Sequence, residues 1–121
     1  MPPFRILVVD DEPDLRYILR RIFERAGHEV TAAGHGAAAL DAALASPPDL
    51  VVTDMMMPVM DGAELIRRLR ADPSTARIPI LAATGDVQLA GGADAVLPKP
   101  YQQAQLLSAA NALLAQKAGR E

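Results

Sequence analysis

Short apolar runs that end in aspartate constrain the fold of this chain more than any other feature of its sequence. Residues 5–10 read Arg-Ile-Leu-Val-Val-Asp, and residues 50–54 read Leu-Val-Val-Thr-Asp. An uninterrupted apolar run of this length is typical of a strand buried on both faces, because a half-exposed strand alternates polar and apolar residues. Strands of that kind occur in parallel sheets whose two faces are covered by helices. The runs therefore predict an α/β domain.

Helical patterns separate the apolar runs. Pro13 occupies a position suited to the first residue of a helix, and apolar residues then recur at helical spacing until Gly27. A second, alanine-rich helix must end before Pro47, and Asp61 is suited to cap a third helix that ends near Asp72. Further strands are predicted at 30–33, 78–83 and 93–97, and a closing helix at 106–114. This alternation predicts a parallel sheet with helices on both faces.

Composition limits the class of protein. The 121 residues include no cysteine and only two histidines, which excludes a disulfide scaffold, a cysteine nucleophile, a thiolate zinc site and an iron–sulfur cluster. The length fits a single domain, 1–121, with a core of about 4–116. No apolar run is long enough to span a bilayer, and a charge of −3 disfavours direct nucleic-acid binding. We expect a soluble, cytoplasmic protein.

Three carboxylates are predicted to converge at one edge of the sheet. Asp10 and Asp11 follow the first strand and Asp54 ends the third, and ligands of open parallel sheets bind beyond the carboxyl ends of the strands. A lone aspartate at a strand end is most often a helix cap or a turn former. Two like charges about 5 Å apart repel by about 3 kcal/mol at an effective dielectric constant of 20, so a cluster of three needs a cation. Oxygen ligands favour Mg²⁺.

Two further residues are expected at the same edge. Lys99 lies between Pro98 and Pro100 just after the last strand, and Thr84 ends the fourth strand. A lysine in a loop is usually a solvated charge, and a threonine that closes a strand is common. Here the flanking prolines restrict the backbone of Lys99, so its ammonium can be held beside the acidic cluster.

Four separated motifs give the chain a family resemblance. They are Asp-Asp-Glu-Pro at 10–13, Asp-Met-Met-Met-Pro-Val-Met-Asp-Gly at 54–62, Ala-Thr-Gly at 83–85 and Leu-Pro-Lys-Pro at 97–100. In this order and spacing they resemble the receiver domain of two-component response regulators, over essentially the whole chain. The resemblance implies a flavodoxin-like, doubly wound sheet of five parallel strands in the order 2-1-3-4-5.

The resemblance also implies a function. Asp54 matches the aspartate that takes a phosphoryl group from a phosphohistidine of a histidine kinase in a Mg²⁺-dependent reaction. The implied site consists of the metal ligands Asp10, Asp11, Asp54 and the backbone carbonyl of Met56, with Thr84 and Lys99 on the phosphoryl oxygens. Asp10 is expected to act on the metal through a water. The family acts as a switch and not as a turnover enzyme, so the expected partners are a histidine kinase or phosphotransfer protein and a downstream protein.

Two features depart from the family pattern. Val96 stands three positions before Lys99, where the family usually has an aromatic residue. Residues 85–92 must cross back over the sheet to the fifth strand, whereas a complete crossover ordinarily takes at least about 10–12 residues. We therefore expect the fourth helix to be missing or reduced to about one turn, and the protein to be a monomer or a weak dimer. The resemblance further implies a cis peptide bond between Lys99 and Pro100.

Two other classes of function remain open at this stage. A Mg²⁺-dependent phosphohydrolase would also use an aspartyl nucleophile, but such enzymes commonly carry a second aspartate two residues later, where this chain has Met56. A flavodoxin-like cofactor binder would need a Gly-, Ser- or Thr-rich phosphate loop after the first strand, where this chain is acidic. Both are less favoured than a phosphoryl-accepting switch.

Overall fold

The structure, a computed structural model, describes residues 3–119 and contains one five-stranded parallel sheet. The strands are β1 (Arg5–Val9), β2 (Glu29–Ala33), β3 (Leu50–Asp54), β4 (Ile80–Thr84) and β5 (Ala95–Pro98). Their order in the sheet is β2-β1-β3-β4-β5, and every neighbouring pair is parallel. The predicted fold class and strand order are confirmed.

Four α-helices cover the sheet in the part of the chain that the structure describes. They are α1 (Pro13–Arg25), α2 (Gly36–Ala45), α3 (Gly62–Ala71) and α4 (Gln103–Gly119). As predicted, Pro13 is the first residue of α1, and the Asp61 carboxylate caps α3 by accepting a hydrogen bond from the Glu64 N–H at 2.9 Å. No helix within residues 3–119 is long and apolar enough to cross a membrane.

The core lies on both faces of the sheet. Alternate residues of β1 point to opposite sides, so that Leu7 and Val9 pack with the buried faces of α2 and α3, whereas Ile6 and Val8 pack with those of α1 and α4. These four residues of β1 are almost completely buried. Burial on both sides explains why the strand sequence is apolar without alternation, which is the feature that made the fold predictable.

The connection between β4 and β5 has no α-helix. Its regular structure is a single 3-10 turn at Val87–Leu89, capped by the Asp86 carboxylate, which accepts a hydrogen bond from the Gln88 N–H at 3.0 Å. The expected reduction to about one turn is confirmed, and the fourth α-helix of the chain follows β5 instead. The connection, residues 85–94, lies at the lower limit of the roughly 10–12 residues that a crossover with a helix and its loops requires.

Three strands begin at other residues than predicted, and β4 and β5 each end one residue later than the predicted ranges. β2 begins one residue earlier than predicted, at Glu29, whose N–H donates to the Phe4 carbonyl. β4 begins two residues later than predicted, because Pro79 has no N–H and the Ile78 N–H donates to the Thr75 carbonyl in the turn after α3. β5 also begins two residues later, because the Ala93 N–H donates to the Ala90 carbonyl and so closes the preceding turn.

Arg70 ties the end of α3 to the shortened connection. Its guanidinium donates to the carbonyls of Ala76 and Ile78 at 2.9 and 2.6 Å and lies 2.6 Å from the Asp94 carboxylate. The same Asp94 oxygen accepts a hydrogen bond from the Ile80 N–H at 2.7 Å, at the first residue of β4. A charged network therefore supplies contacts where the crossover has no helix to pack on the sheet.

We expect the Arg70→Ala variant to lose about 2 kcal/mol of unfolding free energy, because several charge-assisted hydrogen bonds are removed together and Asp94 keeps only its backbone donor. Urea denaturation followed by circular dichroism measures this loss. Arg67→Ala is the matched control: Arg67 is 68% exposed and pairs only within α3, so its loss should stay within about 0.5 kcal/mol. Equal losses in both variants would contradict the role assigned to Arg70.

Candidate functional site

The three predicted carboxylates meet at the carboxyl edge of the sheet. Asp10 follows β1 directly, Asp11 comes next, and Asp54 is the last residue of β3, the neighbour of β1. One oxygen from each of these side chains lies within 4.8 Å of the others. The parallel register produces this convergence, because Val9 pairs with Thr53 and both strands end at the same edge of the sheet. The predicted convergence is confirmed.

Asp10 is the buried member of the cluster, with an exposed fraction of 2%. Burial raises the pKa of its carboxyl group, and the nearby charges of Asp54 and Asp11 act in the same direction. A hydrogen bond from the Glu12 N–H, 2.9 Å from Oδ1, and the ammonium of Lys99 oppose this increase in pKa. The folded chain thus holds a carboxylate where its negative charge is costly, which is typical of a functional site.

Lys99 lies against the cluster as predicted. Its Nζ is 3.5 Å from Oδ2 of Asp54 and 3.9 Å from Oδ2 of Asp10. The backbone N–H of Lys99 donates to the Thr84 carbonyl at 2.9 Å, which fixes the chain just beyond β5, and the peptide bond to Pro100 is cis, as expected. An ammonium held at this distance from two carboxylates partly compensates their repulsion.

The cluster has the chemistry of a site for a hard divalent cation. Its side-chain donors are carboxylate oxygens only, and Mg²⁺ prefers a few carboxylates together with water and phosphate oxygens. Neither histidine belongs to the cluster: His28 accepts a hydrogen bond from the Phe4 N–H, and His35 caps α2. The residues present therefore fit Mg²⁺ better than a transition metal.

Thr84 reaches the same edge, but its hydroxyl is engaged elsewhere. The side chain is fully buried, and Oγ1 accepts a hydrogen bond from the Asp86 N–H at 3.1 Å and donates to the Asp86 carbonyl at 3.2 Å. The hydroxyl thus holds the start of the 3-10 turn. Val96, the position where an aromatic side chain was expected in the family, is 39% exposed on β5.

The loop from β3 to α3 is packed tightly beside Asp54. The Met56 N–H points to Oδ1 of Asp54 at 3.4 Å, and the Gly62 N–H donates to the Met55 carbonyl at 3.0 Å. A Cβ atom at Gly62 would lie 2.6 Å from the Asp54 carbonyl oxygen, so only glycine permits this approach. Val59 has a φ of 67°, a strained value for a β-branched residue, within a turn closed by the Met60 N–H on the Pro58 carbonyl.

Two residues near the site were not identified from the sequence. Arg16 of α1 donates from its guanidinium to the Asp10 carbonyl at 2.8 Å and lies over Gly34, where a Cβ would be 3.0 Å from it. The Tyr101 hydroxyl is buried without a hydrogen-bond partner among the described residues. Burial raises the pKa of Tyr101, and the charges of Asp10 and Asp54 add to the increase. The position of Tyr101, two residues after Lys99, was the available signal.

Comparison with known proteins agrees with this geometry. A family model described as the response regulator receiver domain matches residues 6–111. The chain is similar to response regulator MprA of Mycolicibacterium vanbaalenii, with 43% identity over 117 residues that cover 93% of this chain and 51% of that protein. The chain therefore spans about half the length of the curated relatives it matches.

Solved structures with the same fold include two receiver proteins. The chemotaxis protein CheY4 of Vibrio cholerae has a TM-score of 0.86 and 30% identity, covering 93% of this chain and 99% of that one. The receiver domain of sensor histidine kinase PA1611 from Pseudomonas aeruginosa has a TM-score of 0.88 and 26% identity, covering 94% and 99%. That structure holds a magnesium ion coordinated in the active site cleft.

We expect Asp10→Asn to raise the unfolding free energy by about 1 kcal/mol at pH 7 in EDTA, because it removes a buried charge repelled by two neighbours. Since folding raises the pKa of Asp10, its contribution to stability is complete below the unfolded pKa of about 3.9 and is lost as pH rises through the folded value. The advantage of Asp10→Asn should therefore shrink toward pH 4.

Urea denaturation at several pH values, with and without Mg²⁺, measures this effect. Asp41→Asn, an exposed change on α2, is the control and should leave stability within about 0.5 kcal/mol of the unmodified chain. Mg²⁺ should stabilise the unmodified chain more than the Asp10→Asn variant, because a bound ion favours the folded state. Destabilisation of Asp10→Asn in EDTA at pH 7 would show that the cluster is not under electrostatic strain.

Proposed function

The chain belongs to the receiver-domain family of response regulators, and from this membership we propose that it is a phosphoryl-accepting switch with Asp54 as the acceptor. The observation that carries the proposal is the position of Asp54, at the end of β3 within the carboxylate cluster and 3.5 Å from the ammonium of Lys99. A carboxylate is a competent nucleophile for forming an acyl phosphate. Phosphoryl transfer needs mainly positioning and neutralisation of charge, which these neighbours supply.

The neighbours of Asp54 suit distinct roles in that reaction. Oδ2 of Asp54 faces Lys99 and Oδ1 faces the Met56 N–H, so both oxygens are oriented before a donor arrives. In the proposal, Lys99 pairs with the phosphoryl oxygens after transfer. Asp10 is too buried to be the acceptor, and Asp11 is exposed beyond the strand end.

The proposed metal ligands are Asp11, Asp54 and the backbone carbonyl of Met56, with Asp10 contributing through a water. The donor set of carboxylate oxygens supports this assignment, and the PA1611 receiver domain was solved with magnesium coordinated in its own active site cleft. When bound, Mg²⁺ would neutralise charge on the carboxylates and on the incoming phosphoryl group. In this proposal, phosphorylation of Asp54 requires Mg²⁺.

Thr84 supplies the proposed switch. Its hydroxyl bonds both backbone groups of Asp86, so a bond to a phosphoryl oxygen would exchange with those contacts. Phosphorylation adds nearly two negative charges at Asp54. Shifting a two-state equilibrium from 1:99 to 99:1 requires about 5.5 kcal/mol, so contacts to Thr84, Lys99 and the metal must act together.

A groove beside Lys99 suits the partner that delivers the phosphoryl group. Its volume is about 560 Å³, and its lining is mainly apolar: Leu15, Ile18, Leu19, Ile22, Lys99, Pro100, Tyr101 and Gln103. The groove runs from α1 to the start of α4 and ends at Lys99, which contacts Asp54. We assign it to the histidine-bearing helix of a histidine kinase or phosphotransfer protein. In this proposal residues 1–121 form one receiver unit that signals to a downstream protein and does not itself bind DNA.

We expect acetyl phosphate with Mg²⁺ to attach one phosphoryl group per chain, labile to hydroxylamine as an acyl phosphate is. Asp54→Asn should abolish this modification, and EDTA should suppress it. Intact-mass measurement follows the addition of one phosphoryl group. Asp41→Asn is the control and should be modified like the unmodified chain.

Two results would overturn this assignment. Phosphorylation that persists in Asp54→Asn would place the acceptor elsewhere. Rapid multiple turnover of phosphate esters would show that the chain is a phosphohydrolase, the alternative class that uses the same nucleophile.

We expect Ile18→Asp to slow transfer from a phosphorylated histidine kinase at least tenfold without changing the reaction with acetyl phosphate. Ile18 is 51% exposed and lines the groove. A docked helix would bury the charge of the introduced aspartate, which opposes docking without altering the phosphoryl site. Tyr17→Asp is the matched control: Tyr17 is 62% exposed on the same helix but does not line the groove. The rate of transfer to each variant is compared with the rate to the unmodified chain, using any kinase that phosphorylates the latter. Equal slowing in both variants would refute the groove assignment.

A further inference from the structure

A second groove lies between the β3–α3 loop and the 3-10 turn. Its volume is about 450 Å³, and its lining residues are Met55, Met56, Met57, Pro58, Asp61 and Leu89. Three of these six side chains are methionines: Met55 and Met57 belong to the buried core, whereas the thioether of Met56 is exposed and can adapt to the shape of a partner. We refer to it as the methionine groove.

Exposed apolar side chains surround the methionine groove. Met56 is 65% exposed, Leu89 41% and Val87 51%, and Val59 at the strained turn is fully exposed. Val87 and Leu89 belong to the three-residue 3-10 turn of the shortened crossover, in which no residue is buried. Apolar side chains grouped beside a functional site indicate a binding surface, whereas isolated ones are ordinary.

The charges around the methionine groove are acidic. Asp61 lines it and Asp86 caps the turn that carries Leu89, whereas Asp54, next to Met56, is paired with Lys99 at 3.5 Å. Among the described residues that line the groove there is no lysine or arginine. The two arginines in the middle of α3, Arg67 and Arg68, are paired with Glu64. A ligand for this surface must therefore bring apolar groups for the groove and positive charges for its rim.

We propose that the methionine groove binds an amphipathic, basic helix of a partner protein, with an apolar side chain inserted between Met56 and Leu89 and lysines or arginines facing Asp61 and Asp86. A helix presents apolar and charged residues on opposite faces, which matches the apolar floor and acidic rim of the groove. Charge complementarity of this kind speeds association and excludes acidic partners.

The methionine groove is also connected to the phosphoryl site. The backbone N–H of Met56 contacts Asp54, and Asp86 holds the hydroxyl of Thr84 through its backbone. A ligand that orders these two segments changes the surroundings of Asp54, and by reciprocity phosphorylation changes the affinity for the ligand. This coupling rests on the function proposed above, whereas binding to the unmodified chain does not.

The probe for this proposal is a fluorescein-labelled 14-residue helical peptide with leucine on one face and lysine on the other. A matched peptide with glutamate in place of lysine is the charge control. Fluorescence anisotropy should show binding of the lysine peptide to the unphosphorylated chain and at least tenfold weaker binding of the glutamate peptide.

Neutral substitutions locate the binding surface. Leu89→Ser should weaken binding of the lysine peptide about tenfold, whereas Leu44→Ser should not, since Leu44 is 40% exposed on α2, away from the groove. Asp86→Asn keeps a side chain able to cap the turn and should weaken binding about threefold, with Asp41→Asn as its control. Circular dichroism establishes that each variant is folded.

Several outcomes would overturn the proposal. These are equal affinity for the two peptides, equal effects of Leu89→Ser and Leu44→Ser, and concentration-dependent self-association that Leu89→Ser abolishes, which would make a second copy the occupant. Binding to Asp54→Asn separates this proposal from the proposed function. That variant should bind the lysine peptide within threefold of the unmodified chain, even though it accepts no phosphoryl group.

Discussion

Repulsion among carboxylates held at the end of two neighbouring strands is the constraint on which the site depends. A parallel sheet buried on both faces directs every strand toward the same edge, so Asp10 and Asp54 leave β1 and β3 side by side. Lys99 follows β5, which is two strands from β3 in the sheet, and its ammonium partly balances the charges of Asp10 and Asp54. The fold thus brings together charges that would otherwise stay apart, and a cation bound there would offset their repulsion.

The elements that were predictable from the sequence are those whose causes are local. The apolar run 5–9, Pro13 at the first position of α1 and Asp61 at the cap of α3 each specify their own conformation, and the structure agrees. The start of β4 was predicted two residues too early, because the prediction used hydropathy alone. Pro79 has no N–H to donate to a neighbouring strand, so β4 begins after it.

Site residues were likewise predictable where their position has a local cause, and were missed where it depends on tertiary packing. The aspartates and Lys99 were identified because they end strands or follow them directly, and strand ends converge by rule in a parallel sheet. Arg16 was missed because a helical arginine is usually solvated, and its contact with the Asp10 carbonyl depends on how α1 packs on the sheet. Arg70 was missed for the same reason, since its partners lie up to 24 positions away in the chain.

The buried Tyr101 hydroxyl makes the protein its own optical reporter. The chain has no tryptophan and only two tyrosines: Tyr17 is 62% exposed to solvent, whereas Tyr101 is half-buried and its buried hydroxyl is within reach of the charges of Asp10 and Asp54. Near-ultraviolet circular dichroism arises from aromatic groups held in asymmetric surroundings, so we expect Tyr101 to contribute more to that spectrum than Tyr17. We therefore expect a change of charge in the acidic cluster to alter the near-ultraviolet spectrum of the unlabelled protein.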